Sequence, residues 1–385
     1  MSTTSTADWF SDDSLLPRIP VGEWIETAFD WVQENLSGFF EKIQEGLEWV
    51  TGHLAALLDG TAEDLFGVLP VATLLCLVLV VFALVAGRRR DWPLTGACVV
   101  VAVAAALTPV VADRVGETES HQYHAILTAL AFALLAWLVR NWRLGLAVAL
   151  LLGFVLVVDQ WDNTMSTLAM VLTAAAIALV ISIPLGILAA ASPTVSALLR
   201  PVMDLMQTMP AFVWLVPVVT LFSIGIAPGV VATLIFCLPP GVRLTELGIR
   251  GVDAEVVEAG QAFGGSPRQI LTGIQLPLAM PTIMAGVNQV IMLALSMAVI
   301  AGLVGAGGLG GEVTSSISTL DVGLGFESGL SVVALAIVLD RITGSVGQRR
   351  ARRSAPSRDE EPAESGSTDA DTDAPTTTVA VGSTP

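Results

Sequence analysis

Several groups of residues in this chain have types and spacings that chemistry uses. Gly305, Gly307 and Gly310 fit G-x-G-x-x-G, the turn that cradles a dinucleotide pyrophosphate. That chemistry needs a β-strand before the turn and a helix after it, within a βαβ unit. Here the turn follows a long apolar segment, so the nucleotide reading is rejected in favour of a flexible turn beside a gate. No G-x-x-x-x-G-K-[ST] occurs, so the chain is not expected to bind ATP itself. His121 and His124 have a helical metal-ligand spacing, with Glu119 nearby, but the surrounding polar stretch reads as a wetted surface loop. Cys76, Cys98 and Cys237 stand singly in apolar runs with no C-x-x-C and read as small hydrophobes. No nucleophile, acid–base pair or metal set emerges. The expectation is a non-catalytic chain with no metal and no cofactor of its own.

Residues 258–277 are a different matter. They form a polar, glycine-punctuated stretch between two long apolar segments. Asp253 is placed to cap a short helix carrying Glu255, Val256, Val257, Glu258 and Ala259, which Gly264 and Gly265 would end at a left-handed C-cap. Ser266 and Pro267 then read as N-cap and first position of a second helix through Ile270 and Leu271. Two short helices meeting at nearly a right angle would make a compact knob.

The elements around this stretch are set by composition. Mean hydropathy of +0.74 and 54% hydrophobic residues in 385 describe an integral membrane protein, because a soluble domain cannot hide so much apolar surface. Of the net charge of −17, most lies in residues 1–65, which hold 13 acidic and 2 basic residues. Lys42 is the only lysine. An acidic, lysine-poor chain offers nothing to nucleic acid. Within that region, residues 22–50 place Ile25, Phe29, Val32, Leu36, Phe40, Ile43, Leu47 and Val50 at steps of three and four, with Glu23, Glu26, Asp30, Glu34, Glu41, Glu45 and Glu48 opposite. This amphipathic helix is too polar to span a bilayer. Packing on the protein's own helices and lying on lipid through Trp24, Trp31 and Trp49 are both open readings. No secretory leader is expected, since residues 1–24 lack a basic and an apolar region.

Apolar spans are expected at 68–87, 94–112, 125–140, 144–158, 166–191, 203–224, 228–244, 279–303 and 328–347, with 125–140 and 144–158 short enough to form a tight hairpin. Arg88, Arg89, Arg90, Arg140, Arg143, Arg200, Arg250, Arg268 and the arginines at 349–353 fall on one side of these spans. Asp113, Glu117, Glu119, Asp159, Asp162, Glu312, Asp321 and Glu327 fall on the other. The positive-inside rule then puts the 250–278 loop and the C-terminus in the cytoplasm and the N-terminus outside. Nine spans satisfy the alternation. The chain divides into an acidic N-terminal region (1–65), scaffold spans (66–160), a core (161–348) and a disordered tail (349–385). Prolines within the core, Pro184, Pro210, Pro217, Pro239, Pro240 and Pro281, free carbonyls and suggest a hinged pathway. Pro210, Trp214, Pro239, Pro240 and Asn288 are the candidate pathway or hinge residues. The near absence of ionisable residues inside the core spans argues against an ion-coupled secondary carrier.

The loop also carries a resemblance. Glu258, Ala259 and Gly260, then Gly264, Ile274, Leu276 and Pro277 resemble the coupling loop of ABC-importer permeases: E-A-A, three residues, G, nine residues, I-x-L-P. The one departure is Gly260 in place of the third alanine. The resemblance extends over about 165–347. Gln207-Thr208-Met209-Pro210, the stretches 236–245 and 275–297, and Val338-Leu339-Asp340-Arg341-Ile342 look like the glycine betaine/proline betaine branch. It implies an all-α type I permease core of five helices, preceded by scaffold helices and the amphipathic helix. It also implies two copies of the chain in the inner membrane, a cytoplasmic ATPase that holds the ATP and receives the loop, and an external binding protein delivering a quaternary ammonium osmolyte. Choline or carnitine in place of betaine stays open, because selection in such systems lies mainly in the binding protein's aromatic cage.

Overall fold

A computed structural model describes residues 21–59, 117–139 and 142–354. The spans expected at 68–87 and 94–112, Arg88, Arg89, Arg90, Cys76, Cys98 and the tail beyond Ser354 lie outside the described residues. Among the described residues the elements are α1 (Val21–Asp59), α2 (Glu117–Val139), α3 (Trp142–Val157), α4 (Trp161–Ala191), α5 (Pro193–Thr208), α6 (Ala211–Phe222) and α7 (Ile226–Arg250). There follow α8 (Ala254–Ala262), α9 (Pro267–Ile270), α10 (Leu276–Ala301), α11 (Gly308–Thr319) and α12 (Val322–Ser354).

Among the described residues, four stretches are long and apolar enough to cross a bilayer: Trp161–Ala191, Ile226–Arg250, Pro267–Val304 and Val322–Gly344. The first, at 31 residues, reaches about 46 Å, well over the ~30 Å hydrocarbon thickness. Among the described residues a fifth crossing is made by a bent pair. The continuous span expected at 203–224 is instead α5 and α6, which meet at 98°. The cause is local. Met209 precedes a proline and is driven out of the helical region, to ψ 134°, and Pro210 follows at ψ 139°. The composition is apolar on both sides, which is why hydropathy alone reads straight through the break. The other core prolines behave differently: Pro184, Pro217, Pro239, Pro240 and Pro281 all sit inside helices that continue past them.

The centre of the molecule is where α4, α7 and α10 cross. Its lining is small: Ala169, Ala174, Ala178, Ala232, Ala294 and Ala298 are fully buried. Small residues let helix backbones approach where lipid gives no hydrophobic incentive to associate. At Gly186 a Cβ would stand 2.5 Å from the Thr245 Cβ, so the α4–α7 crossing depends on that glycine. The short helices α2 and α3 pack on one another as the expected hairpin.

Three expectations need correction. Residues 117–124, read as a surface loop, are the first turns of α2, so His121 and His124 lie on a helix. Residues 349–354, read as part of a disordered tail, are the last turns of α12. The amphipathic helix extends to Asp59 and packs on the protein. Phe40 meets Phe222 edge-on at 5.3 Å, Gln33 donates to the Thr220 carbonyl, and Ile43 and Leu47 cover Val218 and Ala227. Trp31 and Trp49 remain exposed on other faces of α1.

Candidate functional site

The loop between α7 and α10 is built as its local sequence dictates. The Glu255 N–H donates to Asp253 Oδ1 at 3.0 Å, starting α8. The helix ends in a Schellman motif: Gly265 N–H reaches the Gly260 carbonyl at 3.1 Å and Gly264 N–H the Gln261 carbonyl at 2.8 Å, with Gly264 at φ +80°. Ser266 then makes a capping box. Its N–H donates to Gln269 Oε1 at 2.8 Å, and the Gln269 N–H donates back to Ser266 Oγ at 3.4 Å. The second helix is not the free-standing unit the sequence suggested. α9 is a single turn that passes through a π-turn at Leu271–Gln275 directly into α10.

The motif residues take three kinds of position. Glu258, Ala259, Gly264 and Pro277 are exposed. Gly260 and Ile274 face each other, and a Cβ on Gly260 would come 2.5 Å from Ile274 Cδ1. Leu276 packs inward with Ile249, Ala279 and Ile283, against Ile187 and Ala190 at the end of α4. The motif thus has an outward face and a root in the helix bundle. Phe263, which sequence reasoning passed over, is 91% exposed at the tip of the loop. Its signal was available: a large aromatic between small residues in an otherwise polar stretch. Between the loop and the end of α4 lies a cavity of about 460 Å³, lined by Ile187, Ala190, Val257, Gln261 and Arg268 among others.

The candidate pathway residues fall on separate elements. Pro210 caps α6 at the bend and Trp214 follows one turn on, half-buried. Pro239 and Pro240 are buried within α7. Asn288 is held in a clasp between helices: its Nδ2 donates to Asp340 Oδ1 at 3.2 Å, and Thr343 Oγ1 donates to its Oδ1. The glycine-rich turn lies at the opposite end of α10 from the loop. It follows a 3₁₀ turn at Gly302–Val304 and opens α11, a helix the sequence reading did not anticipate. The backbone N–H of Leu309 there is spent on Thr167 Oγ1 of α4, at 2.8 Å.

Residues 182–352 match the family of binding-protein-dependent transport system inner membrane components. The glycine betaine transport system permease protein OpuAB of Bacillus subtilis is 39% identical over 340 residues, covering 88% of this chain and 98% of that one. The chain belongs to this family of ABC-importer permeases. The glycine betaine/proline betaine permease protein ProW of Escherichia coli is 52% identical over 58% of this chain and 63% of its own length. The glycine betaine/carnitine permease protein GbuB of Listeria monocytogenes is 50% identical over 53% of this chain and 73% of its own. Among solved structures, the inward-facing MetNI methionine ABC transporter aligns over 50% of this chain and 95% of its own, with 24% identity and a TM-score of 0.42. As a family member this permease is a membrane component of an importer and not its catalyst, and the family works with an ATP-binding subunit and a substrate-binding protein.

Proposed function

We propose that this permease forms the pore of an ATP-driven importer of glycine betaine or proline betaine, and that loop 250–278 is where a cytoplasmic ATPase drives it. The observation that supports the reading most is the architecture of the loop. Two capped turns hold Glu258, Ala259 and Phe263 outward, while Leu271 and Leu276 root the same loop in the bundle. A rigid knob with an exposed aromatic fits a groove on a partner, and its root gives the partner's motion a path inward. In this reading ATP is held by the partner alone. Two copies of the chain line the pore, an external binding protein supplies the osmolyte, the N-terminus is outside and the spans number nine. The names of the relatives support betaine as the cargo, with choline and carnitine as the nearest chemical alternatives.

The test is reconstitution with and without partners. Alone in liposomes, under a proton or a sodium gradient, the permease is expected to accumulate no betaine. With the ATPase, binding protein and ATP, uptake is expected, and Phe263→Ala should reduce co-purification of the ATPase. Gradient-driven uptake by the chain alone would overturn the reading in favour of a secondary carrier.

A further inference from the structure

The last turn of α7 runs straight into the loop: Arg250 ends the helix and Asp253 caps α8. A small polar cluster sits in that turn and reaches two other helices. The Glu246 carboxylate, only 13% exposed, accepts from Ser196 Oγ of α5 at 2.7 Å and forms an ion pair with Arg250, whose Nε lies 3.1 Å from the same Oε1. Arg200 of α5 lies 3.9 Å from the same oxygen. Arg250 also donates to the carbonyl of Ala189, near the end of α4, at 2.8 Å. One turn earlier on α7, Arg243 pairs with Asp204 of α5.

Two features distinguish this cluster from an ordinary surface ion pair. A largely buried carboxylate is costly unless it is paired, and here one oxygen of Glu246 meets the Ser196 hydroxyl and two guanidinium groups. More tellingly, the apolar contact of α5 with α7 is a narrow strip. Met203 is buried on Leu238 and Val242 with Leu199 and Met206 packed beside it, while Leu198, Val202 and Leu205 are exposed. Beside that strip, two polar rungs join α5 to α7: Ser196–Glu246, largely buried, and Asp204–Arg243, exposed. Beyond α5 comes the 98° bend and then α6.

We propose that Glu246 is a positioning residue that passes displacement of the coupling loop to α5, and so round the bend to α6. It acts by holding Arg250, Ser196 and Arg200 in one cluster at the root of the loop, with Asp204–Arg243 as the second rung. This rests on the reading of the loop as the ATPase contact.

The experiment uses the complete importer with its ATPase and binding protein, and measures three quantities in each preparation: ATPase co-purification, ATP hydrolysis and betaine uptake. Glu246→Ala and the milder Glu246→Gln are expected to keep the ATPase bound and hydrolysing, while uptake per ATP falls about tenfold, the scale of losing one charge-assisted contact. Asp204→Arg and Arg243→Asp should each lower that ratio, and the double exchange should restore much of it, a rescue that general loss of packing would not give. If uptake falls only in proportion to the amount of assembled complex, or if the charge exchange gives no rescue, Glu246 is a structural staple and the proposal fails. An unchanged ratio in all four single variants overturns it equally. If the wild-type chain retains no ATPase at all, the loop reading itself fails and this proposal goes with it.

Discussion

At the scale of single residues, the loop separates two ways in which a glycine can matter. Gly264 has open space where a Cβ would go, so its requirement is purely conformational, set by φ +80°. Valine there is expected to strain the backbone by about 1–3 kcal/mol. Gly264 lies at the exposed end of the loop, away from its root, so Gly264→Val should leave the bundle folded while weakening ATPase co-purification and uptake together, both read from one membrane preparation. Wild-type levels of both would remove the main support for this loop as the coupling element. Gly260 is the reverse case, with an ordinary backbone and Ile274 Cδ1 close by. A terminal methyl can swing aside, so Gly260→Ala, which restores the family's alanine, is expected to transport at near wild-type rate. The caps at Asp253, Gly264 and Ser266 were legible in the sequence because each is set by residues within a few positions. The Glu246 cluster was not, because Ser196 and Glu246 are 50 residues apart and nothing in their neighbourhoods announces the pairing.

At the scale of elements, α1 shows what periodicity can and cannot give. Its steps of three and four identified an amphipathic helix, yet they could not say whether protein or lipid took the apolar face. The structure assigns Phe40, Ile43 and Leu47 to the bundle through Phe222 and Val218. Phe40→Ala should therefore destabilise the permease. Full burial of a phenylalanine is worth about 3–5 kcal/mol on truncation, and this half-buried ring should cost on the order of half that. Trp31→Ala, at an exposed site of the same helix, should not destabilise the fold. Thermal unfolding of the two variants in detergent checks the pair, and equal shifts would mean that α1 does not dock as described. The α5–α6 bend illustrates the converse. Met209-Pro210 carried the signal for a break, but an apolar run on both sides concealed it from a reading based on hydropathy.

At the scale of the whole molecule, the arginine distribution carries a topology that can be tested directly. With Cys76, Cys98 and Cys237 replaced by alanine, single cysteines at Glu117 and Arg268 should differ in labelling by an impermeant thiol reagent on intact cells: Glu117→Cys labelled, Arg268→Cys protected. Equal labelling would sink the nine-span arrangement. The membrane class, the core from about residue 165 and the loop within it could all be read from composition and local motif. The small-residue crossing of α4, α7 and α10 could not, since an alanine in a lipid-facing helix and one in a helix seam look alike in sequence.

The π-turn at Leu271–Gln275 has a wider consequence. A π-turn holds one more residue than an α-turn, so it offsets the winding of everything after it by about 100° relative to the loop before it. The loop and α10 are thus indexed to one another like two gears on a shaft, with residues 271–275 as the key. Insertions are usually harmless in connecting segments, but one added or removed residue here would turn Val290, Ala294 and Ala298 away from the seam they fill. The length of this short stretch is as much a part of the design as the identity of the residues in it.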